Sequence, residues 1–399
     1  MSQETISHSS NRQERKLTTQ TEKILSTPVV RHHNRPLGFE TGEDSLCQVY
    51  QPLNLTAKIK CRAEDFIVRE EIAVDFSGEG EHCWLYLEKR LCNTDYIAQQ
   101  LARFCGIKRN AVAFAGLKDR HALTSQWFSV HLPGLPSPDW QAFEQRFNRN
   151  AQGESIRIID SRRHNKKLQR GALKGNAFEI VCRELSAVDD RSFARLEQRC
   201  QRIAREGVAN YFGPQRFGRD YGNLVQAADM FEKPRRRLPR HKRGLYLSAA
   251  RSWLFNQMVS LRVEQGVWNR RLPGDVFMLA GKSACFRDDG DDEIPSRLER
   301  CEIHPTAVLW GEGDSMVRDE AKALEQRVLD RFQLYRDGLL AARLQAARRA
   351  CRLLPKSMTG QRHDDEFMVR FTLPAGSYAT VVLAEIFSAL ITGDGSKAD

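Results

Sequence analysis

Asp119 stands in GLKDRHALT (residues 116–124), between Lys118 and Arg120, with a strand-like segment on each side. A carboxylate on a short connection between two strands is well placed for chemistry, because the scaffold fixes the loop. Neighbouring cations favour its charged form, which a nucleophile or base needs at neutral pH. A turn aspartate with solvated neighbours fits the same pattern and is the commoner case, so this segment alone decides nothing.

A second group is basic and aromatic. RRHNKKLQRGALKGNAF (residues 162–178) holds Arg163, Lys166, Lys167, Arg170 and Lys174, then Asn176 and Phe178 at the start of a strand. Such cations can grip phosphates, and an exposed aromatic can stack on a base taken out of its helix. A solvated face explains the charges equally well, and alternation with Ile180 and Cys182 suits Phe178 to a core. PRRRLPRHKR (residues 234–243), with Arg236 and Arg240, reads as an RNA-contact loop or a merely soluble one, kept irregular by its prolines. NYFGPQRFG (residues 210–218), with Arg216, packs rings and a guanidinium between glycines, as a contact loop or an interdomain plug would. A net charge of +11 adds a general pull toward a polyanion.

The elements that must position these residues follow from periodicity. Residues 65–74 and 82–89 alternate as strands, joined by the glycine-rich SGEGE. Asn93-Thr94 caps a helix carrying Ile97, Leu101 and Phe104, and Gly106 stops it. Residues 111–115 form a short apolar strand. Residues 125–132 put Gln126, Phe128, Val130 and Leu132 on one face and Trp127, Ser129 and His131 on the other. Residues 177–183 form a further strand, and Phe193, Leu196, Cys200 and Ile203 mark a helix ending at Gly207. A helical stretch is expected over 317–354, a strand over 366–373 and an apolar helix over 378–390. Strands early and late around a helix-rich middle suggest one sheet-containing domain interrupted by another.

Several classes are set aside by composition. The 399 residues, 41% hydrophobic and 28% charged, suit a soluble two-domain enzyme. No apolar run approaches the ~20 residues that cross a bilayer. The polar amino terminus lacks a secretory core, is expected to be disordered to about Leu46, and points to the cytoplasm. Ten cysteines include no CxxC pair, which argues against a zinc site and a disulfide framework. Neither GxGxxG nor GxxxxGK[ST] occurs, so no nucleotide cofactor is expected.

Six blocks, in order, then resemble one family. They are KCRAEDFIVREE (60–71), GEGEHCWLYLEKRLCNT (78–94), AGLKDRHALTSQWFS (115–129), LKGNAF (173–178), GVANYFGPQRFG (207–218) and LPAGSYATVVLAE (373–385). Together they resemble the TruD family of tRNA pseudouridine synthases. The resemblance implies an α+β pseudouridine-synthase catalytic domain with a mixed, largely antiparallel sheet, interrupted by an inserted α/β TRUD domain. The expected bounds are a tail over 1–46, the catalytic domain over 47–201 and 352–399, and the insert over 202–351. It implies tRNA as partner, uridine 13 as target, no cofactor, no metal, no membrane, and a monomer by default. Asp119 would be the family's essential carboxylate. Asn176 would orient it, Phe178 would stack on the target base, and Lys60 matches a basic position near the site. Lys118, Arg120, Arg163, Lys166, Lys167, Arg170, Lys174, Arg216, Arg236 and Arg240 are the expected RNA contacts. The tail of about 45 residues is a departure from the family core.

The implied reaction breaks the bond from ribose C1′ to uracil N1 and rejoins the base through C5, with no redox change. A carboxylate could attack C1′, add to the base, or abstract the 2′-proton, and the sequence does not choose among these. Two rivals remain: a non-catalytic binder of structured RNA, and a glycosidase. The second needs an opposing acid that no motif marks.

Overall fold

Apolar alternation builds most of the strands that carry the candidate site. The computed structural model describes residues 46–149, 153–233 and 238–393. The chain begins with β1 (Thr56–Ile59), β2 (Phe66–Ile72), β3 (His82–Arg90), α1 (Thr94–Phe104), β4 (Val112–Phe114) and β5 (Leu123–His131). It continues through α2 (Trp140–Arg149), β6 (Ser155–His164), β7 (Leu173–Cys182), α3 (Asp190–Glu206) and β8 (Val208–Ala209). A helix-rich stretch follows: α4 (Gly222–Glu232), α5 (Arg240–Glu264), β9 (Val276–Leu279), β10 (Cys285–Arg287), α6 (Ile294–Glu299), β11 (Ile303–Leu309), α7 (Asp319–Arg331) and α8 (Gln333–Ala341). Last come β12 (Ala347–Ala350), β13 (Arg352–Leu353), β14 (Lys356–His363), β15 (Glu366–Pro374), α9 (Ala379–Ala384) and β16 (Ala389–Thr392). The expected disordered tail up to residue 45, and Arg236 in the Pro/Arg run, lie outside the described residues. No helix among the described residues is long and apolar enough to cross a membrane.

Eight strands form one sheet in the order β14-β15-β7-β2-β5-β3-β6, with β4 added on β5. Only β2 and β5 run parallel within it, so the sheet is mixed and largely antiparallel, in an α+β fold. The chain between its two groups of strands supplies a second, antiparallel sheet in the order β10-β9-β11-β12.

Central strand β5 is covered on both faces, as its alternation predicts. Phe128, Val130 and Leu132 pack with Leu85 and Leu87 of β3, Ile97 and Leu101 of α1, and Phe143 of α2. Trp127 faces the other way and packs with Trp84, Ala115 and Leu168. Each large apolar side chain removed from water contributes about 1.5–3 kcal/mol, so this double layer is a rigid base for the loop that precedes β5.

Two helix expectations fail, for one physical reason. The stretch over 317–354 is helical only through α7 and α8, with Phe332 between them outside helical geometry (φ −114°, ψ 49°). Residues 347–350 instead pair with β11. Arg348 there donates to Thr306 Oγ1 (2.9 Å) and Glu325 Oε1 (2.7 Å). The apolar stretch over 378–390 is helical only over Ala379–Ala384. Glu385 accepts from the N–H groups of Val49 and Tyr50, and Ala389–Thr392 pairs in parallel with β1. In both places long-range pairing of strands and buried charge overrides local helix propensity.

One glycine explains part of the LKGNAF block. A Cβ on Gly175 would lie 2.4 Å from the carbonyl oxygen of Leu373, so β7 and β15 can approach this closely only because position 175 has no side chain. Asn176 is the next residue. Gly175→Ala is therefore expected to cost about 1–3 kcal/mol through overpacking. A chemical denaturation midpoint unchanged from wild type would refute the close-approach explanation.

Candidate active site

The loop between β4 and β5 is pinned from beneath by polar contacts. Thr94 Oγ1 accepts from the Lys118 N–H (3.1 Å) and donates to Gln126 Oε1 (2.9 Å). Gln126 Nε2 donates in turn to the carbonyl of Gly116 (3.2 Å). Lys89, wholly buried on β3, donates to the carbonyl oxygens of Asp119 (2.6 Å) and Cys92 (2.8 Å). The main chain of Asp119 is thus fixed before its side chain makes any contact.

The Asp119 carboxylate then takes two donors. Lys60 Nζ lies 2.5 Å from Oδ2, and the His121 N–H donates to Oδ1 at 2.9 Å. The Asp119 side chain keeps 31% exposure and Lys60 11%, so the pair lies at a surface rather than in the core. Burial pushes the Asp119 pKa up, but the charge and hydrogen bond of Lys60 and the His121 N–H outweigh it, leaving the carboxyl below its ordinary range. Lys60 itself adopts φ +56°, a left-handed conformation costly for a residue with a Cβ. Its ammonium also sits 4.8 Å from the centre of the Phe66 ring.

The cation that holds Asp119 is Lys60, which the resemblance set near the site, and not its sequence neighbours Lys118 and Arg120. Successive side chains of the loop point apart. Lys118, only 7% exposed, pairs with the fully buried Glu70 at 2.9 Å. The other Glu70 oxygen accepts from the Trp127 N–H (2.7 Å). Arg120 donates to the carbonyl of Leu91 and pairs with Glu154 at 3.3 Å. Lys118 is therefore a buried structural cation rather than one offered to phosphate, and the charge favouring ionised Asp119 comes from Lys60.

Phe178 and Asn176 lie on β7, the neighbour of β2. Phe178 is half-buried, 6.2 Å edge-on from Phe66 and 5.4 Å from Phe371, so its ring joins the aromatic group that begins under Lys60. Asn176 is paired in register with Glu70 and Leu373. Its Oδ1 is buried without a hydrogen-bond partner, and the donors to Asp119 are Lys60 and His121 instead.

The remaining basic residues scatter. Lys166, Lys167, Lys174 and Arg240 are exposed, with Lys167 donating to the carbonyl of Asn110. Arg163 is spent on Ser137 Oγ and the carbonyls of Gly80 and Leu135. Arg170 lies in a short 3-10 turn, Arg170–Ala172. Arg216 donates to the Tyr378 hydroxyl and Ser248 Oγ, in a loop whose Tyr211, Phe212 and Phe217 are buried as a plug would be. Two members of the site were not anticipated: Lys89 and Glu70. Both sit at inward-facing positions of their strands, following Leu85 and Leu87 on β3 and Phe66 and Val68 on β2. A charged residue on a core face was the available signal.

The fold is that of the pseudouridine synthases. It matches a solved structure from Methanosarcina mazei, described as a candidate tRNA pseudouridine synthase D, with a TM-score of 0.67 at 20% identity over 86% of this chain and 96% of that one. The family model of tRNA pseudouridine synthase D (TruD) matches residues 49–226 and 221–386. Among curated relatives, tRNA pseudouridine synthase D of Methylococcus capsulatus is 45% identical over 86% of this chain and 95% of its own. That of Hydrogenovibrio crunogenus is 43% identical over 83% and 93%. The chain belongs to the tRNA pseudouridine synthase D family.

The charge balance at Asp119 gives a direct test. Its lowered pKa means that the pair stabilises the fold at neutral pH, and that this is lost as pH falls through the folded-state value. Lys60→Met leaves burial, which raises the pKa, without its main opponent. Titration of the Asp119 carboxyl carbon by NMR should then show a midpoint about one unit or more higher. An unmoved midpoint would show that Lys60 is not what keeps the carboxylate charged.

Proposed function

We propose that the chain converts uridine 13 of certain tRNAs to pseudouridine, with Asp119 as the reacting carboxylate. The observation that carries this is a partly exposed, ionised aspartate, its main chain immobilised, beside a lysine and an aromatic group that includes Phe178. Relatives that this chain matches over most of their length are named as tRNA pseudouridine synthases, which supports an isomerase of tRNA processing. A tRNA substrate fits the cytoplasm. On this reading residues 202–351 are an insert in the catalytic domain.

The chemistry asks for an electron pair when the C1′–N1 bond breaks. Attack on C1′, addition to the base and abstraction of the 2′-proton all begin from a carboxylate oxygen of Asp119, so all three need it deprotonated. Each oxygen has one protein donor and retains a further lone pair for the nucleotide. When N1 is freed the base turns, C5 bonds to C1′, the C5 proton leaves to solvent and N1 gains one. Atoms and electrons balance without a redox partner. The extruded nucleotide loses its stacking, at a cost of a few kcal/mol. The accessible part of Phe178 offsets this by stacking on the base. Asn176 closes on Asp119 in the substrate complex, since catalytic hydrogen bonds commonly tighten only then.

Asp119→Asn keeps the shape and removes the charge. It should abolish tritium release from C5-labelled uridine while tRNA affinity stays within a fewfold of wild type. Turnover by that variant would exclude Asp119, and unmodified RNA recovered from active wild-type preparations would favour a binder without catalysis. Phe178→Ala, in protein shown by its melting curve to be folded, should slow turnover roughly five- to hundredfold, the value of one base–aromatic stack. An unchanged rate would return Phe178 to a packing role.

A further inference from the structure

Some arginines inside this protein pair with an acid, as Arg262 does with Asp275 and Arg348 with Glu325, while others, such as Arg199 and Arg352, donate only to uncharged groups. Arg216 and Arg349 are of the second kind. Both guanidinium groups lie over one ring, Phe212, at 5.4 Å and 4.2 Å from its centre, and Arg349 also reaches Phe255 at 5.6 Å. Their hydrogen bonds go only to neutral groups. Arg216 donates to the Tyr378 hydroxyl and Ser248 Oγ, both at 3.0 Å. Arg349 donates to Asn210 Oδ1 (2.7 Å) and the carbonyl of Gly376 (3.1 Å), and its Nε is buried with no partner. Among the described residues no carboxylate pairs with either. Burial above all brings the Arg349 pKa down to about 10, with Tyr378 opposing and the charge of Arg216 adding to the fall.

Two like charges held on one ring without an anion are a standing electrostatic deficit. Planar guanidiniums are also the groups best matched to phosphate oxygens. The place is informative as well. The turn after β15 contributes Gly376, which is exposed, and half-buried Tyr378. The same turn is tied to β7 by the Ala375 N–H donating to the carbonyl of Lys174, and by Pro374 and Leu373 pairing with Gly175 and Asn176. The arginine pair therefore adjoins the end of β7 that carries Asn176, with exposed Lys174 beside it.

We propose that Arg216 and Arg349 jointly bind a phosphate, the backbone phosphodiester of the RNA whose nucleotide reaches Asp119. Phe212 holds the two guanidiniums in place, and the unused Nε–H of Arg349 adds a donor. The identity of the phosphate rests on the RNA reading above; the anion site does not.

Two measurements on the full chain separate these. Inorganic phosphate titrated into protein with 15N-labelled arginine should shift the Arg349 Nε–H signal, and the response should vanish in Arg216→Met. Bound tRNA should block it. In parallel, tRNA affinity is followed against salt. Arg349→Met and Arg216→Met should each weaken binding about tenfold and lower the slope of log K against log salt by roughly 0.7–0.9, one phosphate contact. Arg349→Lys should keep the slope and lose part of the affinity. Phosphate binding with unchanged tRNA affinity and slope would overturn the RNA assignment, leaving a site for a free anion. Absence of any phosphate response together with unchanged slopes would overturn the site. If wild type itself binds no tRNA, the functional reading fails, and the phosphate titration alone decides the anion site. The wild-type titration needs no variant, so a misfolded Arg349→Met does not spoil the test.

Discussion

A carboxylate on the rim of an apolar sheet must be kept charged, and the arrangement around Asp119 follows from that need. Burial alone would push its pKa up. One fixed cation at contact distance reverses the balance, and Lys60 supplies it from the end of β1 at the expense of a left-handed backbone. A second cation, Lys89, sits behind the peptide rather than beside the carboxylate and grips the Asp119 carbonyl from inside the sheet. Its own pKa is brought down to about 8 by burial, which the charges of the nearby Cys92 and Asp119 side chains only partly offset. The third, Lys118, is diverted to Glu70. The other oxygen of Glu70 accepts from the Trp127 N–H and so joins β2 to β5.

This explains why the one parallel pairing lies at the middle of the sheet. β2 and β5 are neighbours through Ile67, Val68 and Arg69 against Leu123, Thr124 and Ser125. That register brings Lys60, just ahead of β2, and Asp119, just ahead of β5, to the same end of two adjacent strands. Antiparallel pairing would have sent them to opposite ends. The β3–β5 pairing then sets Lys89 opposite Thr124, a few residues beyond the loop it holds. Three side chains remote in sequence thus meet because of strand direction and register.

Much of this was legible in the sequence, and what was not has a common cause. Period-two alternation located β2, β3, β5 and β7, and the two faces of β5 were assigned correctly because both are packed. The GLKDR loop and its aspartate could be placed between rigid strands. Spacing alone could not place the partner of that aspartate, since Lys60 is 59 residues away and Lys118 and Arg120 are adjacent, and only the family resemblance set Lys60 near the site. Adjacent loop residues point apart, so nearness in sequence misled. Glu70 and Lys89 were legible in principle, as polar residues that keep the parity of a buried face. Within the stretches expected as helices, residues 347–350 and 389–390 became strands because they complete sheets begun by strands distant in the chain. No local propensity reports such a partner.

The same strand that misled the helix reading joins the two sheets' surroundings. Arg348 and Arg349 are neighbours on β12, and alternation sends them to opposite sides. Arg348 turns inward to Glu325 and Thr306, anchoring β12 to β11. Arg349 turns to Asn210, Phe212 and the turn after β15, and so reaches both the loop that follows β8 and the last part of the chain. The next residues pair with β8 as β13 before the chain re-enters the large sheet as β14 and β15. A displacement of β12 would therefore move Arg349 and the β15 turn together. Because that turn continues directly into the strand paired with Asn176, the stretch between α3 and β13 is coupled by covalent and hydrogen-bonded links to the edge of the candidate site.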